Sequence, residues 1–494
     1  MRSRRSWPNA PRAWKRKGPM AAARVDKQGI PAYIMGPRLV LMLSVLALTL
    51  LGFVMIYSTS SVIALASASA DAVATVDPMA DTLSQIKFAV AGIVIALVVW
   101  KFVPYSIWRG NLVWAVWLLA FVLLVATMFS GAGEDEWGAQ RWLVLGPASL
   151  QPSEFAKIAL VLVAARLFDD FREGVLSVPQ FFVMVFLLVL APVLVILGPQ
   201  SDLGTAMICV VGILAVMWLG EVPARTMLIV VGVVVALGLV GILGTEYRRE
   251  RLMVFLNPWN DGEGGYGNGY QLIHSLYALA GGGLFGVGLG NSHEKYLYLT
   301  QSDTDFIFAI IGEELGLVGA LAVIALFLLV LWAGMRIART APDNFGTMVA
   351  GGCTIMIVFQ AFLNIAMVMG WFPVVGKPLP FISSGGSSLI ATFIMVALIL
   401  SVSQGAVDDS LAPARRRADL RVVRAEPDEP RSGGSRGGAG TGGSGRAGRR
   451  GGSASSAPSG GIGWDAVSSR SRRGDNADAG RSGSSGSSAR RGRR

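Results

Sequence analysis

The amino-acid sequence predicts an all-α polytopic membrane protein of about ten transmembrane helices, with a long extracytoplasmic loop before the eighth. Three observations predict it. Of 494 residues, 53% are apolar and 15% charged, against about 45–50% and about 25% in soluble domains. Mean hydropathy is +0.54. From Leu39 onward, ten apolar stretches are each long enough to cross about 30 Å of hydrocarbon alone or with their flanks.

The first three spans, 39–58, 86–103 and 111–129, are runs of Val, Leu, Ile and Ala with few interruptions. The fourth, 154–168, is short and carries Glu154 and Lys157. The fifth and sixth, 181–198 and 203–219, are divided by a very short turn, and the seventh covers 226–244. Residues 245–304 then form the long loop. Ile273 to Leu289 is apolar, but six glycines between 281 and 290 make it a poor helix, so it is expected to pack on the membrane domain without crossing. Spans 305–334, 347–368 and 386–404 complete the set, which defines a ten-span domain over 38–404.

Charge fixes the orientation. The net +11 divides into +8 over residues 1–37, −6 over 38–404 and +9 over 405–494. Basic loops stay in the cytoplasm. With the N-terminus inside, Lys101, Arg109, Arg166, Arg172, Arg225, Arg336 and Arg339 fall in cytoplasmic loops, and loop 59–85, outside, has no Lys or Arg. An even number of spans also returns the tail inside. That tail, 405–494, holds 20 Gly, 16 Ser and 18 Arg; it cannot bury a core and is expected to be disordered, as is the basic N-terminal segment.

The same figures exclude several functions. Basic charge confined to the two ends argues against a nucleic-acid groove. Cys209 and Cys353 lie in apolar runs and give no disulfide framework. His274 and His293 are too few for an imidazole metal centre. The glycines at 281–290 lack the Gly-Lys-Ser/Thr of a phosphate loop. No cleavable signal peptide is expected, because the first apolar run begins near Leu39 after a long charged stretch. Chemistry must rest on carboxylates or hydroxyls.

Ionisable groups at or within spans are costly and are therefore candidates. Arg141 and Trp142 precede Gln151-Pro152-Ser153-Glu154, and Lys157 follows. Glu154 and Lys157, three apart, either neutralise one another or leave Lys157, with Arg141, to bind an anion such as a diphosphate. Gln200 and Asp202 occupy the short turn; Asp202 either caps the next span or, with Gln200, hydrogen-bonds a sugar. Asp303 and Asp305 stand at the outer mouth of the eighth span, where they serve as helix caps or as a pair in which one pKa is raised, as a general base requires. On a helix running through Asp305, Glu313 and Glu314 lie eight and nine residues deeper, about 12–14 Å at 1.5 Å per residue, on different faces. Finally, Pro373 to Ser388 contains three prolines and a Gly-Gly pair. Such irregular backbone either forms a tight re-entrant turn or lines a cavity, where Lys377, Ser383 and Ser387 can cradle phosphate or sugar.

At these residues the chain resembles the SEDS family (shape, elongation, division and sporulation), polytopic proteins of bacterial wall synthesis. The likeness covers residues 39–404. It is carried by Gly52-Phe53-Val54-Met55-Ile56-Tyr57-Ser58, Arg141-Trp142, Gln151-Pro152-Ser153-Glu154, Asp202-Leu203-Gly204-Thr205, Asp305-Phe306-Ile307-Phe308-Ala309, Gly312-Glu313-Glu314-Leu315-Gly316, Leu379-Pro380-Phe381-Ile382-Ser383 and Gly385-Gly386-Ser387-Ser388. Gly288 to Ser292 and Lys295 to Leu299 are nearer the division branch than the elongation branch. The resemblance implies a ten-span peptidoglycan glycosyltransferase that polymerises lipid II outside the membrane, and it maps the family's essential aspartate onto Asp305. Departures are Thr300 for a usual Pro, Asp303 for a usual His, and Ser201 for the Pro of Gln-Pro-Asp. Val375 stands where some members carry Lys, with Lys377 two places on.

Diphosphate is a good leaving group, so charge balance matters more than a paired acid; Arg141, Lys157, Lys377 or a divalent cation such as Mg or Mn supplies it. Glu154, Asp303, Glu313 and Glu314 are supporting groups. Expected partners are lipid II, a class B penicillin-binding transpeptidase at the septum and other divisome membrane proteins. An acidic cytoplasmic division protein or anionic lipid is expected at the Arg-rich tail, which is otherwise a solvated linker. No nucleic acid is expected. A lipid II flippase, a non-catalytic scaffold and an elongation-type polymerase are the alternatives.

Overall fold

A computed structural model describes residues 32–67, 77–130, 141–145, 148–244, 246–261 and 263–424. The basic segment expected over 1–37 lies outside the described residues as far as residue 31. The Gly/Ser/Arg-rich tail does so from residue 425.

The described residues are almost wholly helical: α1 (Ala32–Ser67), α2 (Ala80–Phe102), α3 (Tyr105–Arg109), α4 (Leu112–Ser130), α5 (Pro152–Arg172), α6 (Val178–Leu197), α7 (Leu203–Leu219), α8 (Ala224–Leu243), α9 (Glu246–Leu256), α10 (Tyr270–Gly281), α11 (Ile307–Arg339), α12 (Asn344–Val368) and α13 (Gly386–Arg424). All ten apolar stretches fall on helices. Seven of these (α1, α2, α4, α6, α11, α12 and α13) are long and apolar enough to span a membrane. α7 and α8 qualify only as shorter apolar helices, and α5 carries charges. A π-helical turn, Phe186–Leu190, interrupts α6.

Burial separates an inner set from an outer one. Most of α5 and α12 is buried, whereas α2, α4, α6 and α8 leave rows of Leu, Val and Ile exposed, as helices facing lipid do. α2 packs on α13, α1 on α11, and α12 on both α11 and α7.

Three features depart from the sequence expectations. A two-stranded hairpin, β1 (Leu143–Leu145) with β2 (Ala148–Leu150), pairs antiparallel in the register Leu143 to Leu150. The long loop contains α9 and α10; the latter ends at Gly281, where the glycines begin, and packs on α11. α13 continues to Arg424, past the limit of 404, because residues 405–424 are still rich in Ala, Leu and Arg, good helix formers; the Gly/Ser bias begins further on.

α11 breaks at Gly316, whose φ of 67° and ψ of −168° are not helical. The glycine-rich segment 283–288 supplies the bonds lost there. Val287 and Gly288 N–H donate to Glu313 and Glu314 carbonyls, and Leu317 and Val318 N–H to Gly283 and Leu284. The apolar segment that looked like a poor span thus satisfies the backbone of a broken one.

Candidate functional site

At one end of the bundle the N-termini of α5 and α13 and the residues just before α11 enclose a cavity of about 220 Å³. Gln151, the N-cap of α5, Ser387 and Ser388 in the first turn of α13, and Asp305, two residues before α11, all line it. Helix N-termini carry partial positive charge and free N–H groups, so this end of the fold is built for an anion.

Asp305 is half-buried in the cavity wall, and its carboxylate has no hydrogen-bond or ion-pair partner among the described residues. Desolvation by burial raises its pKa to about 6; Lys377 and Arg251 oppose the rise, while Asp303 and Asp202 add to it. The sequence placed the cause in the Asp303–Asp305 pair, but burial is the larger effect. The helix begins at Ile307, so the facing angles drawn from a helix through Asp305 do not apply. Gly376 sits directly against the carboxylate: a Cβ there would lie 3.1 Å from Asp305 Oδ2, and its φ of +60° is one that L side chains rarely adopt.

Lys377 lines the same cavity but is 3% exposed. Its Nζ donates to Asp202 Oδ2 at 2.7 Å and to Thr205 Oγ1 at 2.5 Å. Asp202 also caps α7, accepting from Thr205 N at 3.0 Å. Burial alone would raise the Asp202 carboxyl, but Lys377 and then Arg141 outweigh it and hold it below the usual carboxylate range. Gly204 makes the room: a Cβ there would lie 2.6 Å from the Lys377 side chain. The Asp-Leu-Gly-Thr motif is therefore a socket for a lysine 175 residues away.

Arg141 Nε and Nη2 donate to the Gln200 and Ser201 carbonyls at 2.8 and 3.1 Å, and the residue lines this cavity and a second of about 320 Å³. The second is walled by Met207, Val234, Val235, Leu239, Phe372 and Val375, with Arg251 and Asp202 also lining it. Ser387 accepts from Gln151 N and donates to Ser149 O. Ser383 donates to Thr304 O at 2.5 Å, and Ser384 N–H to Asp303 O at 3.0 Å, which joins the Pro-rich segment to the Asp305 segment. Ser201 and Gln301, which line these cavities, have positive φ, local strain of the kind that clusters at functional sites.

The remaining sequence candidates lie elsewhere. Lys157 is fully buried and donates to Glu154 Oε2 at 2.8 Å and Gln360 Oε1 at 2.7 Å; neither it nor Glu154 lines the cavity. Gln200 is buried against Thr127 Oγ1 at 2.7 Å, so its side chain does not face a sugar. Glu313 accepts from Ser292 Oγ and His293 N. Glu314 pairs with Lys295 at 2.8 Å and accepts from Ser58, which ties α1, α11 and the long loop together.

The cavity also contains Trp142 and Gln151, marked in the sequence only as parts of motifs, and Gln301 and Thr304, to which sequence reasoning gave no role. Asn364 and Gln360, whose amides reach the chain on either side of it, were legible only as polar residues in an apolar span. Among the described residues no three His, Cys, Asp or Glu side chains group as metal ligands. Among the described residues Asp305 is the one carboxylate that lines the cavity. The described residues do not form a cage for Mg or Mn.

Residues 38–407 match the family model described as "Cell cycle protein", which joins FtsW, RodA and SpoVE. Stage V sporulation protein E of Bacillus subtilis (strain 168) is 38% identical over 371 residues, 74% of this chain and 97% of that protein. The "Probable peptidoglycan glycosyltransferase FtsW" of Trichlorobacter lovleyi is 38% identical over 371 residues, 74% of this chain and 93% of the relative. A chain from the structure described as "Structural coordination of polymerization and crosslinking by a peptidoglycan synthase complex" matches with a TM-score of 0.56 and 26% identity, covering 74% of this chain and 97% of that one.

Proposed function

This chain belongs to the FtsW/RodA/SpoVE (SEDS) family, and on that footing we propose that it is a division-type peptidoglycan glycosyltransferase that polymerises lipid II with Asp305 as general base. One observation carries the proposal: a carboxylate raised to about 6, without a hydrogen-bond or ion-pair partner among the described residues, in a cavity whose other charged residues are Arg141 and Lys377. An acceptor hydroxyl attacks the anomeric carbon of a donor held on polyprenyl diphosphate. The new glycosidic bond forms as the bond to the diphosphate oxygen breaks, and the hydroxyl proton passes to Asp305. A single in-line displacement inverts the anomeric centre. Arg141 and the N-termini of α5 and α13 balance the charge that develops on the diphosphate. The apolar second cavity, sharing Arg141, suits the first isoprene units of such a donor.

The orientation from Lys and Arg puts this end of the bundle outside and both termini in the cytoplasm. A relative described in terms of polymerisation and crosslinking supports a single-span class B transpeptidase as partner at the septum, and the Arg-rich tail then lies at the inner leaflet. The transport alternative, with a path through Arg141, Glu154, Lys157 and Glu313, draws no support from Glu154 and Lys157, which pair with each other, or from Glu313, which accepts from Ser292 and His293.

Vesicles loaded with labelled lipid II and containing the purified protein and its transpeptidase test the proposal. Glycan strands that form without net movement of lipid II across the bilayer are expected. Movement without strands contradicts it.

A further inference from the structure

Asn364 lies in α12, in the run Asn364-Ile365-Ala366-Met367-Val368, and is fully buried. Its Nδ2 donates to the main-chain carbonyls of Asp305 and Lys377, both at 2.7 Å. The partners fix the orientation of the amide, because a flipped Asn would set its oxygen against two carbonyl oxygens. Its Oδ1 is buried with no hydrogen-bond partner among the described residues. Leucine would fill similar space in this apolar helix without an unmet acceptor. What asparagine provides here is the pair of donations.

We propose that Asn364 is a positioning residue for Asp305, holding the backbone of Asp305 against that of Lys377 so that the carboxylate keeps its place in the cavity. The proposal rests on the glycosyltransferase function above. Asp305 precedes α11 and Lys377 lies in irregular chain, so no helix or sheet ladder sets the distance between them. Ser383 and Ser384 tie neighbouring residues, through Thr304 and Asp303; Asn364 acts at Asp305 itself. Gly376, next to Lys377, packs against Asp305 Oδ2, so a shift of a few tenths of an ångström between the two segments changes the clearance of the carboxylate directly. The ammonium of Lys377 is anchored on Asp202 and Thr205, whereas the Asp305 carboxylate has no such anchor among the described residues. Asn364 does not line the cavity, so it acts through Asp305.

The test uses the full-length protein with its transpeptidase in a lipid II polymerisation assay over pH 4.5 to 8, comparing wild type, Asn364→Leu, Asn364→Ser and Asp305→Asn. Leu keeps volume and Ser keeps polarity, and neither can make both donations. In each folded variant kcat is expected to fall at least tenfold with KM within twofold, and the acid limb of the pH profile to move down by at least half a unit as water reaches the carboxylate. A folded variant with kcat within twofold of wild type, or with the limb unmoved, overturns the proposal. So does failure of both to fold, which makes Asn364 a packing residue of the whole bundle. If Asp305→Asn polymerises normally, the function itself falls; if it is inactive while Asn364→Leu is normal, the positioning role alone falls.

Discussion

Lys377 Nζ lies 2.7 Å from Asp202 Oδ2, with both side chains buried. The ammonium that shares the cavity with Asp305 is thus already balanced by another carboxylate. That pairing explains how an aspartate can share a cavity with a lysine and still have its pKa raised.

Activity follows the ionisation of Asp305. Below pH 6 its carboxyl holds a proton and accepts none, so kcat falls about tenfold per unit as pH drops and levels off above about 7. Stability runs the opposite way. The folded pKa of about 6 lies above the unfolded 3.8, so the folded state binds more protons and loses stability as pH rises through that window. Asp305→Asn should therefore melt later than wild type at pH 7.5, by the equivalent of about 1–3 kcal/mol, with the difference vanishing near pH 4. Melting curves of both proteins at the two pH values check this.

Asp202→Asn leaves Lys377 buried without its counter-charge and should cost about 3–5 kcal/mol. The freed ammonium then acts on Asp305, and in whatever protein remains folded the acid limb of the pH profile should move below 6. Adding Lys377→Met should recover melting temperature. A limb unmoved in Asp202→Asn would count against the coupling.

Lys157 separates packing from substrate binding. If it only neutralises Glu154, Lys157→Met destabilises by about 3–5 kcal/mol, and the double variant Glu154→Leu/Lys157→Met recovers both stability and polymerisation. A double variant that folds well yet shows a raised KM for lipid II would return Lys157 to the diphosphate.

Gly376→Ala places a methyl 3.1 Å from Asp305 Oδ2 in a left-handed backbone conformation. A melting loss of about 1 kcal/mol is expected from the backbone. The fall in kcat should be larger than that loss explains, tenfold or more, read from initial rates at saturating lipid II.

The spans were legible because hydropathy and length act locally, and every apolar stretch from 39–58 to 386–404 fell on a helix. Asp305 and Lys377 were legible as charges at the edge of apolar sequence. Their roles were less so, since the Asp202–Lys377 socket joins positions 175 residues apart and no local period announces it. Lys157 and Gln200 looked like binding groups because cost marks a polar residue without saying whether its partner is a ligand or a neighbour. The 143–150 hairpin is too short for alternation to show. Asn364 was passed over because one amide does little to the hydropathy of α12.

The most direct measurement is the rate of glycan-strand formation from lipid II by purified wild-type protein and Asp305→Asn, each with its transpeptidase, at pH 7.5. Strands are expected from wild type and none from Asp305→Asn, which should melt no earlier than wild type and still bind lipid II. An Asp305→Asn protein that makes strands at the wild-type rate would contradict the assignment of the base.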